Sequence, residues 1–479
     1  MPKTAHLPLL PRPLKALIAL LGLPLCLASC SSAGVIVGRP ARPLPLPAGI
    51  EVAFNQRADL RYRSPVSGAW RPGDDLEALL LNTIHGARRE LLVAVQELSL
   101  PAVAQALADQ HRRGVRVHVV LESTYSRPWS EQHEAELNPH LRTRRRQLLL
   151  RADRNHDGAL SETERSSGDA VLILQRAGVP MIDDRADGSA GSGLMHSKYV
   201  VADGSTVLTG SANFTDSCIH GDPDDPRTRG NANHLLRLKS EALAGLFRQD
   251  FARMWGDGPG GKPDSRFGQA KQSGPAQTVL VGTTPVQVLF ASHRRDDPNN
   301  GLALIASSLQ QAQRRIDMAL FVFSAQSLTT VIANRQQNGV KIRLIADAGF
   351  ASRPFSEILD LLGVALSDPD CKHEAGNHAL QTPLEGVGIA RLPGGDKLHH
   401  KVAVIDNRTV ITGSFNWSPS AAHQNDEVLL VIHSPQLAAH FTREVDRLWK
   451  GAELGINSRL ARKLSENGRR CGSGVERGS

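Results

Sequence analysis

A stretch of sequence that occurs twice constrains the fold of this chain more than any other feature. The first copy begins at Met195 and the second at Leu398, and in both a His-x-Lys pair is followed five positions later by aspartate. After six further residues, both copies continue with Gly-Ser-x-Asn. The matched residues are His196, Lys198, Asp203 and Asn213 in the first copy, and His399, Lys401, Asp406 and Asn416 in the second. Identical spacing in two copies indicates an internal duplication, so the chain is expected to fold as two related halves.

Each copy predicts a strand, a turn and a second strand. The residues alternate from the histidine onwards, which places the histidine and the lysine on the same face of a strand. Polar residues at 203–205 and 406–408 interrupt the two apolar runs, and such breaks are typical of turns between paired strands. We therefore expect a hairpin in each half, with the histidine at its start.

The segments around the two copies repeat as well. In the first half the sequence predicts a strand at 50–54, a helix at about 74–89, a strand at 91–95, a helix near 101–113 and a strand at 115–121. Residues 312–345 of the second half repeat the pattern of residues 86–120. This order of strands and helices predicts an α/β sandwich, here duplicated. The predicted boundaries are a first half at 49–256, a linker at 257–278, a second half at 279–455 and a basic tail at 456–479.

These two signatures resemble those of the phospholipase D superfamily, whose members hydrolyse or transfer phosphodiesters without a catalytic metal. The resemblance covers most of residues 50–455. It implies a duplicated phospholipase D-type α/β sandwich, in which two mixed-sheet halves pack around one pseudo-twofold active site. Because both signatures lie in one chain, it also implies a monomer.

The resemblance implies roles for the repeated residues. One histidine would attack phosphorus to form a phosphohistidine, and the other would protonate the leaving oxygen and then activate water. Lys198 and Lys401 would clamp the non-bridging oxygens, because positive charge stabilises a phosphoryl transition state. Asp203 and Asp406 would hold the local loop and tune its charge. Further donors to the substrate would be Asn213, Asn416, Ser211 and Ser414.

One departure from the repeat predicts unequal roles for the two histidines. An Asn-x-Glu sequence ends at Glu427, and a glutamate at this position lies near an active-site histidine in the superfamily. The matching residue of the first half is Asn233. If each residue serves the histidine of its own half, the carboxylate favours the protonated form of His399. His399 is then expected to be the general acid, resting protonated, and His196 the nucleophile.

An insertion in the first half resembles a calcium-binding loop. Residues 153–164 match the EF-hand pattern, with glycine at the sixth position and glutamate at the twelfth. Calcium prefers roughly six to eight oxygen ligands. The pattern assigns these ligands to Asp153, Asn155, Asp157, the backbone of Ala159, Ser161 and Glu164. The helical pattern after the loop breaks at residues 166–168, so we expect one structural calcium ion and no paired sensor. An acidic surface loop with Asx turns is the alternative.

The N-terminus predicts export. A positively charged region precedes an apolar run at residues 16–25 that is too short to span a membrane. Leu27-Ala28-Ser29-Cys30 follows and resembles the cleavage site of a bacterial lipoprotein. We therefore expect a signal peptide at 1–29, an acylated Cys30 and a spacer at 30–48. The mature protein would be a membrane-anchored lipoprotein facing the periplasm or the cell exterior. A plain signal peptide cleaved near residues 28–32 is the alternative.

Three cysteines remain in the mature chain, namely Cys218, Cys371 and Cys471. Export permits a disulfide, but an odd number leaves at least one thiol over. Their spacing is not that of a metal site.

The substrate stays open at this stage. The net charge of +8 favours polyanions or anionic surfaces as partners. A membrane anchor favours phospholipid, whereas the positive charge favours an exported endonuclease acting on DNA or RNA. A non-catalytic lipoprotein that binds anionic lipid is a third hypothesis, and the intact signatures disfavour it. The basic run at residues 142–146 predicts a solvated helix face, with phosphate contact as the alternative.

Overall fold

The two halves that repeat in sequence also repeat in structure. The computed structural model describes residues 43–189, 193–223, 225 and 227–472. Within them, two large mixed sheets share one core strand order, and helices pack on both. The duplicated α/β sandwich predicted from the sequence is confirmed.

The first half contains the following elements within the described residues. Its strands are β1 (Ile50–Phe54), β2 (Arg61–Arg63), β3 (Trp70–Pro72), β4 (Glu90–Val95), β5 (Arg116–Leu121), β6 (Met181–Asp183), β7 (Lys198–Ala202), β8 (Thr206–Gly210) and β9 (His234–Lys239). Its helices are α1 (Leu76–Gly86), α2 (Pro101–Arg112), α3 (Pro139–Ala152), α4 (Glu162–Gly168), α5 (Ala170–Arg176), α6 (Asp216–Ile219) and α7 (Glu241–Trp255).

The described part of the second half repeats this series. Its strands are β10 (Gln277–Val281), β11 (Thr284–Ala291), β12 (Arg315–Leu320), β13 (Lys341–Ala346), β14 (Val387–Ile389), β15 (Lys401–Ile405), β16 (Thr409–Gly413), β17 (Glu427–His433) and β18 (Glu453–Leu454). Its helices are α8 (Gly301–Gln310), α9 (Gln326–Gln337), α10 (Glu357–Leu361), α11 (Pro419–His423), α12 (Pro435–Trp449) and α13 (Ser458–Cys471).

The strand orders show the duplication directly. The first sheet runs β1-β9-β8-β7-β4-β5-β6, and the second runs β10-β11-β17-β16-β15-β12-β13-β14-β18. Each sheet contains three neighbouring parallel strands. These are β4, β5 and β6 in the first sheet and β12, β13 and β14 in the second. The long closing helices α7 and α12 both start at a serine, Ser240 or Ser434, whose side chain accepts a hydrogen bond from the helix backbone.

The central strands are buried on both faces. In β7, Tyr199 and Val201 pack in a core shared by the two halves, while Val200 and Ala202 pack in the core of the first half. Strand β15 alternates in the same way. Burial on both faces explains why these strands read as nearly continuous apolar runs. The shared core holds the two halves together at the level of the signatures.

Tight turns connect β7 to β8 and β15 to β16. Asp203 and Gly204 have φ values of 52° and 64°, and Asp406 and Asn407 have values of 51° and 54°. Left-handed backbone at both central residues is typical of a type I′ turn, and Asp, Asn and Gly tolerate it best. The hairpins predicted from the sequence are confirmed.

The turn aspartates also hold the segment that leads into the neighbouring strand. The Asp203 carboxylate accepts hydrogen bonds from the backbone N–H groups of Arg88, Arg89 and Glu90 at 2.7 to 3.1 Å. Asp406 accepts from three such groups at the start of β12, those of Gln313, Arg314 and Arg315, at 2.8 Å each. Burial opposes ionisation of Asp203, but these N–H groups outweigh it and lower its pKa below the ordinary value. The predicted role of holding the local loop agrees with this geometry.

Removal of one turn carboxylate is expected to reduce stability without reducing catalysis. Asp203→Gly keeps a left-handed turn possible but leaves three backbone N–H groups without their acceptor, so the free energy of unfolding should fall by about 1–3 kcal/mol. Since the native pKa is lowered, this stabilisation exists above the unfolded pKa and is lost as pH falls through the native value. Denaturant unfolding at neutral pH and below the native pKa measures both effects. A loss of kcat beyond about tenfold in the folded variant would contradict this role.

The predicted linker and the predicted tail both pack against the rest of the protein. In the predicted linker at 257–278, Phe267 and Lys271 are buried. In the predicted tail at 456–479, helix α13 packs through Leu460 and is tied down by a Cys371–Cys471 disulfide. Apolar residues spaced along α13 give this helix a face to bury.

Of the cysteines in the described ranges, Cys218 stays as a buried free thiol. No helix within those ranges is long and apolar enough to cross a membrane. The predicted signal peptide, Cys30 and most of the predicted spacer lie outside the described residues.

Candidate active site

The two signature histidines lie where the halves meet. Each histidine precedes the first strand of its hairpin, and its backbone is bound to the other half. His196 N donates to Asp426 O at 2.9 Å, and His399 N donates to Ala232 O at 3.0 Å. The structure therefore brings both signatures to one interface, as the resemblance implies.

The side-chain partner of each histidine also comes from the other half. His196 Nδ1 lies 2.8 Å from the Glu427 carboxylate, and His399 Nδ1 lies 2.9 Å from Asn233 Oδ1. The assumption that each residue serves the histidine of its own half is wrong. The reason is the backbone pairing across the interface, which joins Met195 to Asp426 and Ala232 to Leu398. Glu427 follows Asp426 and Asn233 follows Ala232, so each of these two side chains faces the signature of the other half.

These hydrogen bonds fix which ring nitrogen carries the proton. Asn233 Nδ2 donates to the backbone carbonyls of Cys218 and Asn231 at 3.0 and 3.1 Å, so Asn233 Oδ1 is the acceptor that faces His399. His399 Nδ1 must therefore donate, and the Glu427 carboxylate imposes the same on His196. Both neutral rings keep a lone pair on Nε2, the atom that can attack phosphorus or, once protonated, donate to a leaving group.

Burial is the main influence on both rings. It lowers the pKa of His196 to about 4, although Glu427 acts in the opposite direction. It also lowers the pKa of His399 well below its ordinary value, and there Lys401 and Lys198 act in the same direction. The prediction that His399 rests protonated before substrate binds is therefore wrong, because its partner is an amide and two cations lie close to it.

Two buried lysines make this interface a site for an anion. Lys198 and Lys401 are 0% and 1% exposed, and neither forms a salt bridge within the described ranges. Burial lowers the pKa of Lys198 to about 8 and that of Lys401 well below its ordinary value, the latter with help from Lys198. By contrast, the buried Lys271 lies 2.8 Å from each of two carboxylates. Glu427 raises the pKa of both lysines without forming a salt bridge with either, but one carboxylate does not neutralise two buried ammonium groups, so a bound anion would stabilise this pair.

The two signature asparagines keep part of their amide groups free. Asn213 Nδ2 donates to Gln96 Oε1 at 3.2 Å. Within the described part of the chain, the Oδ1 atoms of Asn213 and Asn416 are buried and have no hydrogen-bond partner. Asn213 therefore lies close to Lys198, since Gln96 Oε1 accepts from both, while the free carbonyl oxygens of the two asparagines are acceptors and not donors.

The two signature serines do something other than predicted. Ser211 Oγ donates to Asn233 Oδ1 at 2.8 Å, and Ser414 Oγ donates to the Glu427 carboxylate at 2.6 Å. Both serines are fully buried. Their hydroxyl groups orient the partners of the histidines and do not serve as direct donors to the substrate, which corrects the sequence prediction.

The two signature aspartates lie away from the histidines. Each follows the far end of its strand, roughly 16 Å from the lysine at the usual rise per residue. Asp203 and Asp406 are thus part of the fold that holds the site and do not reach the reacting atoms.

Two residues of the site were not found from the sequence. Gln96 and Phe321 occupy matching positions directly after β4 and β12. Gln96 Oε1 accepts from Lys198 Nζ at 3.3 Å, whereas the Phe321 ring lies 4.9 Å from Lys401 Nζ in a cation–π contact. The sequence contains one signal for them, their position at the end of the strand next to each lysine, but their side chains differ and so do not appear as a repeat.

One arginine of the basic run reaches the same region. Arg144 Nε lies 3.0 Å from the carboxylate of the buried Glu97. Burial raises the pKa of Glu97, and Arg144 counteracts that effect. The prediction of a solvated helix face is therefore wrong for Arg144, since α3 packs with this residue turned inwards.

The linker supports the strand end that carries Glu427. Lys271 binds the carboxylates of Asp250 and Asp426, and Gly268 N donates to Asp426 at 3.0 Å. Asp426 in turn binds the backbone of His196. Residues of the linker thus hold Asp426 in place, and Asp426 in turn positions His196 next to Glu427.

The predicted calcium loop is a closed turn between α3 and α4. Glu164 accepts from the N–H groups of Arg154 and Ser161 at 2.8 and 2.9 Å. The Ser161 hydroxyl first, and then these N–H groups, lower the pKa of Glu164 to about 2, so an ionised carboxylate lies inside the loop. Asp153 Oδ1 is buried without a partner among the described residues, which fits a cation ligand. In those residues no three His, Cys, Asp or Glu side chains form a ready-made metal cluster, so calcium here stays a prediction.

Comparisons with known proteins agree with the fold and the signatures. The profile of the family described as cardiolipin synthase, PLD-like domain, matches residues 80–255 and 305–449, together more than half of the chain. A mitochondrial cardiolipin hydrolase of Chlamydomonas reinhardtii is 28% identical over 141 residues, which are 29% of this chain and 54% of that protein. A phospholipase D of Rickettsia felis is 31% identical over 137 residues, which are 29% of this chain and 58% of that protein. The chain thus spans little more than half the length of these relatives.

A solved structure resembles the chain over most of its length. Phosphatidylserine synthase of Haemophilus influenzae superposes with a TM-score of 0.53 at 14% identity, covering 89% of this chain and 94% of that one. At this identity the similarity supports the fold alone.

Proposed function

The chain belongs to the family of cardiolipin synthase, PLD-like domains, and from this premise we propose that it hydrolyses phospholipid phosphodiesters through a covalent phosphohistidine. One observation carries the proposal. Lys198 and Lys401 are buried without a salt bridge within the described residues, beside two histidines whose partners leave Nε2 free. Cleavage of a phosphodiester requires a nucleophile, a proton donor and fixed positive charge, and this site combines all three.

In the proposed first step, His196 Nε2 attacks phosphorus. The bond to the leaving alcohol breaks as the P–N bond forms, and the leaving oxygen takes a proton from His399 Nε2. Lys198 and Lys401 hold the non-bridging oxygens, where negative charge develops. Glu427 accepts the Nδ1–H of His196 and stabilises the positive charge that the ring gains.

In the proposed second step, water attacks the phosphohistidine. Its proton passes to His399 Nε2, the new P–O bond forms, and the P–N bond breaks to restore neutral His196. Binding of an anionic phosphodiester offsets the two lysine charges that lower the pKa of His399. Protonation of His399 is therefore expected to accompany substrate binding.

The unequal partners support unequal roles. Glu427 makes His196 more basic than an amide would, which favours a nucleophile. Asn233 leaves protonated His399 a stronger acid, which favours release of the leaving group. We therefore propose the same roles that the sequence predicts, with His196 as the nucleophile and His399 as the general acid. The reason differs, because the Glu427 carboxylate contacts the nucleophile and not the acid.

Phospholipid is proposed ahead of nucleic acid because the relatives named above are a cardiolipin hydrolase and a phospholipase D. An exported endonuclease is the second candidate, and the net charge of +8 favours it. The test is to assay cardiolipin, phosphatidylglycerol, phosphatidylcholine, single-stranded DNA and RNA in parallel, each with and without EDTA. Release of phosphatidic acid in EDTA supports the proposal. Faster cleavage of DNA or RNA than of every lipid would overturn it, and inertness towards all five would favour the non-catalytic hypothesis.

We further propose that residues 153–164 bind one calcium ion with a structural role. Saturating calcium is expected to raise the melting temperature by about 2–4 °C, since a ligand that binds only the native state stabilises it. Glu164→Gln should abolish this rise. Differential scanning fluorimetry with calcium or a chelator measures it, with magnesium as a control. Immediate loss of hydrolysis on chelation at low temperature would instead place calcium in the mechanism.

A membrane anchor at Cys30 is proposed from the sequence alone. Cys30→Ser is expected to move the protein from the membrane fraction to the soluble fraction of the producing cell, because the variant has no thiol to acylate. Fractionation with and without high salt measures this outcome. Attachment of the variant that resists high salt would show that another segment holds the protein at the membrane.

A further inference from the structure

Two further histidines adjoin the pair that His399 forms with Asn233. His400 follows His399 in the chain, His234 follows Asn233, and both are buried. Their Nδ1 atoms lie 3.0 Å apart. The Phe441 ring of the shared core meets the His234 ring edge-on, with the ring centroids 5.1 Å apart. The proposed mechanism uses neither of these two rings.

The hydrogen bonds of the two rings run in one direction. Burial opposes ionisation of Glu444, but Arg447 outweighs it and lowers the pKa of that carboxyl to about 2. His400 Nε2 therefore donates to Glu444 at 3.1 Å, which leaves its Nδ1 as an acceptor. His234 Nδ1 must then donate to His400, and Thr412 Oγ1 donates to His234 Nε2 at 2.6 Å. Both rings are neutral in this chain of donors, and burial favours that state because it lowers the pKa of each.

Two hydrogen bonds between side chains thus join the same two segments across the interface. One links His399 to Asn233 at 2.9 Å, and the other links His400 to His234. Because successive side chains of an extended segment point to opposite sides, the first bond faces the cleft and the second faces the core. Ser211 connects the two, since its Oγ donates to Asn233 Oδ1 at 2.8 Å and lies 3.3 Å from His234 Nδ1.

The nucleophile's side of the interface has different chemistry at the matching positions, which hold Ser197 and Val428. Ser197 Oγ donates to the backbone carbonyl of Asp426 at 3.3 Å, and Val428 packs in the shared core. His196 is held there by a carboxylate, that of Glu427. The bond between histidines therefore accompanies the weaker partner, the amide.

We propose that His234 and His400 are positioning residues for the general acid, and that their hydrogen bond keeps Asn233 and His399 in register. The inference rests on the proposed function. An acid protonates a leaving oxygen only within hydrogen-bond reach, and a displacement of about 1 Å can cost roughly a hundredfold in rate. An amide binds an imidazole less strongly than a carboxylate does. A second bond between the same segments offsets that weakness.

The test compares two lipids that share the phosphatidyl group and differ in the leaving alcohol. Glycerol, in phosphatidylglycerol, needs a proton to leave, whereas p-nitrophenol, in phosphatidyl-p-nitrophenol, needs little acid assistance. The first turnover of the full-length protein is measured by rapid quench in the same detergent micelles. In His234→Val it is expected to slow about tenfold with phosphatidylglycerol and less than about twofold with phosphatidyl-p-nitrophenol. The steady-state rate after the p-nitrophenol burst should fall about tenfold, because His399 also activates water.

A conservative variant tests the hydrogen bond itself. In His234→Asn, Nδ2 can donate to His400 as the lost Nδ1–H did, so the first turnover with phosphatidylglycerol should return to within about threefold of the unmodified protein. The matched control is Val428→Ala, whose effect on attack should be equal for the two lipids. If melting curves show that His234→Val does not fold, His400→Gln takes its place, because Gln keeps a donor for Glu444 and has no atom at the position of Nδ1.

Each outcome decides the inference. Equal slowing of the first turnover with both lipids would overturn it and leave the proposed function intact, and so would an unchanged first turnover with phosphatidylglycerol in the folded variant. Failure of the unmodified protein to cleave either lipid, while it cleaves bis(p-nitrophenyl) phosphate, would overturn the proposed lipid substrate. A thymidine dinucleotide and the p-nitrophenyl ester of thymidylate would then replace the two lipids, and the same difference between leaving groups would support the inference.

Discussion

Replacement of Glu427 by glutamine is expected to lower kcat about a hundredfold, through a histidine that belongs to the other half of the chain. The Glu427 carboxylate lies 2.8 Å from His196 Nδ1, and this N–H gains positive charge as Nε2 attacks phosphorus. A neutral amide stabilises that charge less. Its NH₂ group can also face the ring and favour the tautomer in which Nε2 carries the proton and cannot attack.

The dependence of kcat/KM on pH identifies which histidine is affected. The carboxylate raises the pKa of His196, which burial lowers to about 4. Glu427→Gln should therefore move the acid limb to lower pH, because His196 then stays neutral further into acid. The matched control is Asn233→Asp, which adds a carboxylate beside His399 and should move the basic limb to higher pH. An effect of Glu427→Gln confined to the basic limb would contradict pairing across the halves.

The duplicated fold could be predicted because both of its determinants are local in sequence. Alternation along β7 and β15 sets two strand faces, and polar residues at their ends set the turns. Identical spacing in the two copies then implies that one architecture is used twice. The turn aspartates could be assigned a structural role for the same reason, since a carboxylate in a left-handed turn is available to nearby backbone N–H groups.

The partners of the histidines could not be predicted in this way. Glu427 and Asn233 each follow a signature of their own half, and sequence separation favours the nearer histidine. The backbones of Asp426 and Ala232 pair with the opposite signature, and this long-range contact turns both side chains across the interface. The spacing of residues along the chain does not show whether Glu427 and Asn233 contact the histidine of their own half or that of the other half.

Composition does not reveal how the segments outside the repeat pack. The linker is rich in glycine, proline and charged residues, yet Lys271 is buried because two carboxylates surround it. The C-terminal residues are basic, yet Leu460 packs into the core of the second half and a disulfide ties down the helix end. In both cases a few specific long-range contacts outweigh the average polarity of the segment.

His399→Asn is expected to separate the two chemical steps according to the leaving group. With an alkyl phosphodiester, formation of the phosphohistidine should slow by about 10²–10⁴-fold, because the leaving alkoxide no longer receives a proton. With a p-nitrophenyl phosphodiester the leaving group needs little acid assistance. A burst of p-nitrophenol close to one equivalent per enzyme is then expected, after which the reaction stalls because no base activates water. Rapid quench in base followed by mass spectrometry should place the phosphoryl group on His196.

The matched variant is His196→Asn, which removes the proposed nucleophile and keeps the proposed acid. It should give neither a burst nor a covalent adduct with either substrate. The two histidines are both buried and both donate through Nδ1, so neither burial nor the tautomer shows which of them is the nucleophile. The hydrogen-bond partners distinguish them, a carboxylate for His196 and an amide for His399. A phosphoryl group on His399 in the unmodified protein would therefore show that the carboxylate supports the acid, and would reverse both roles.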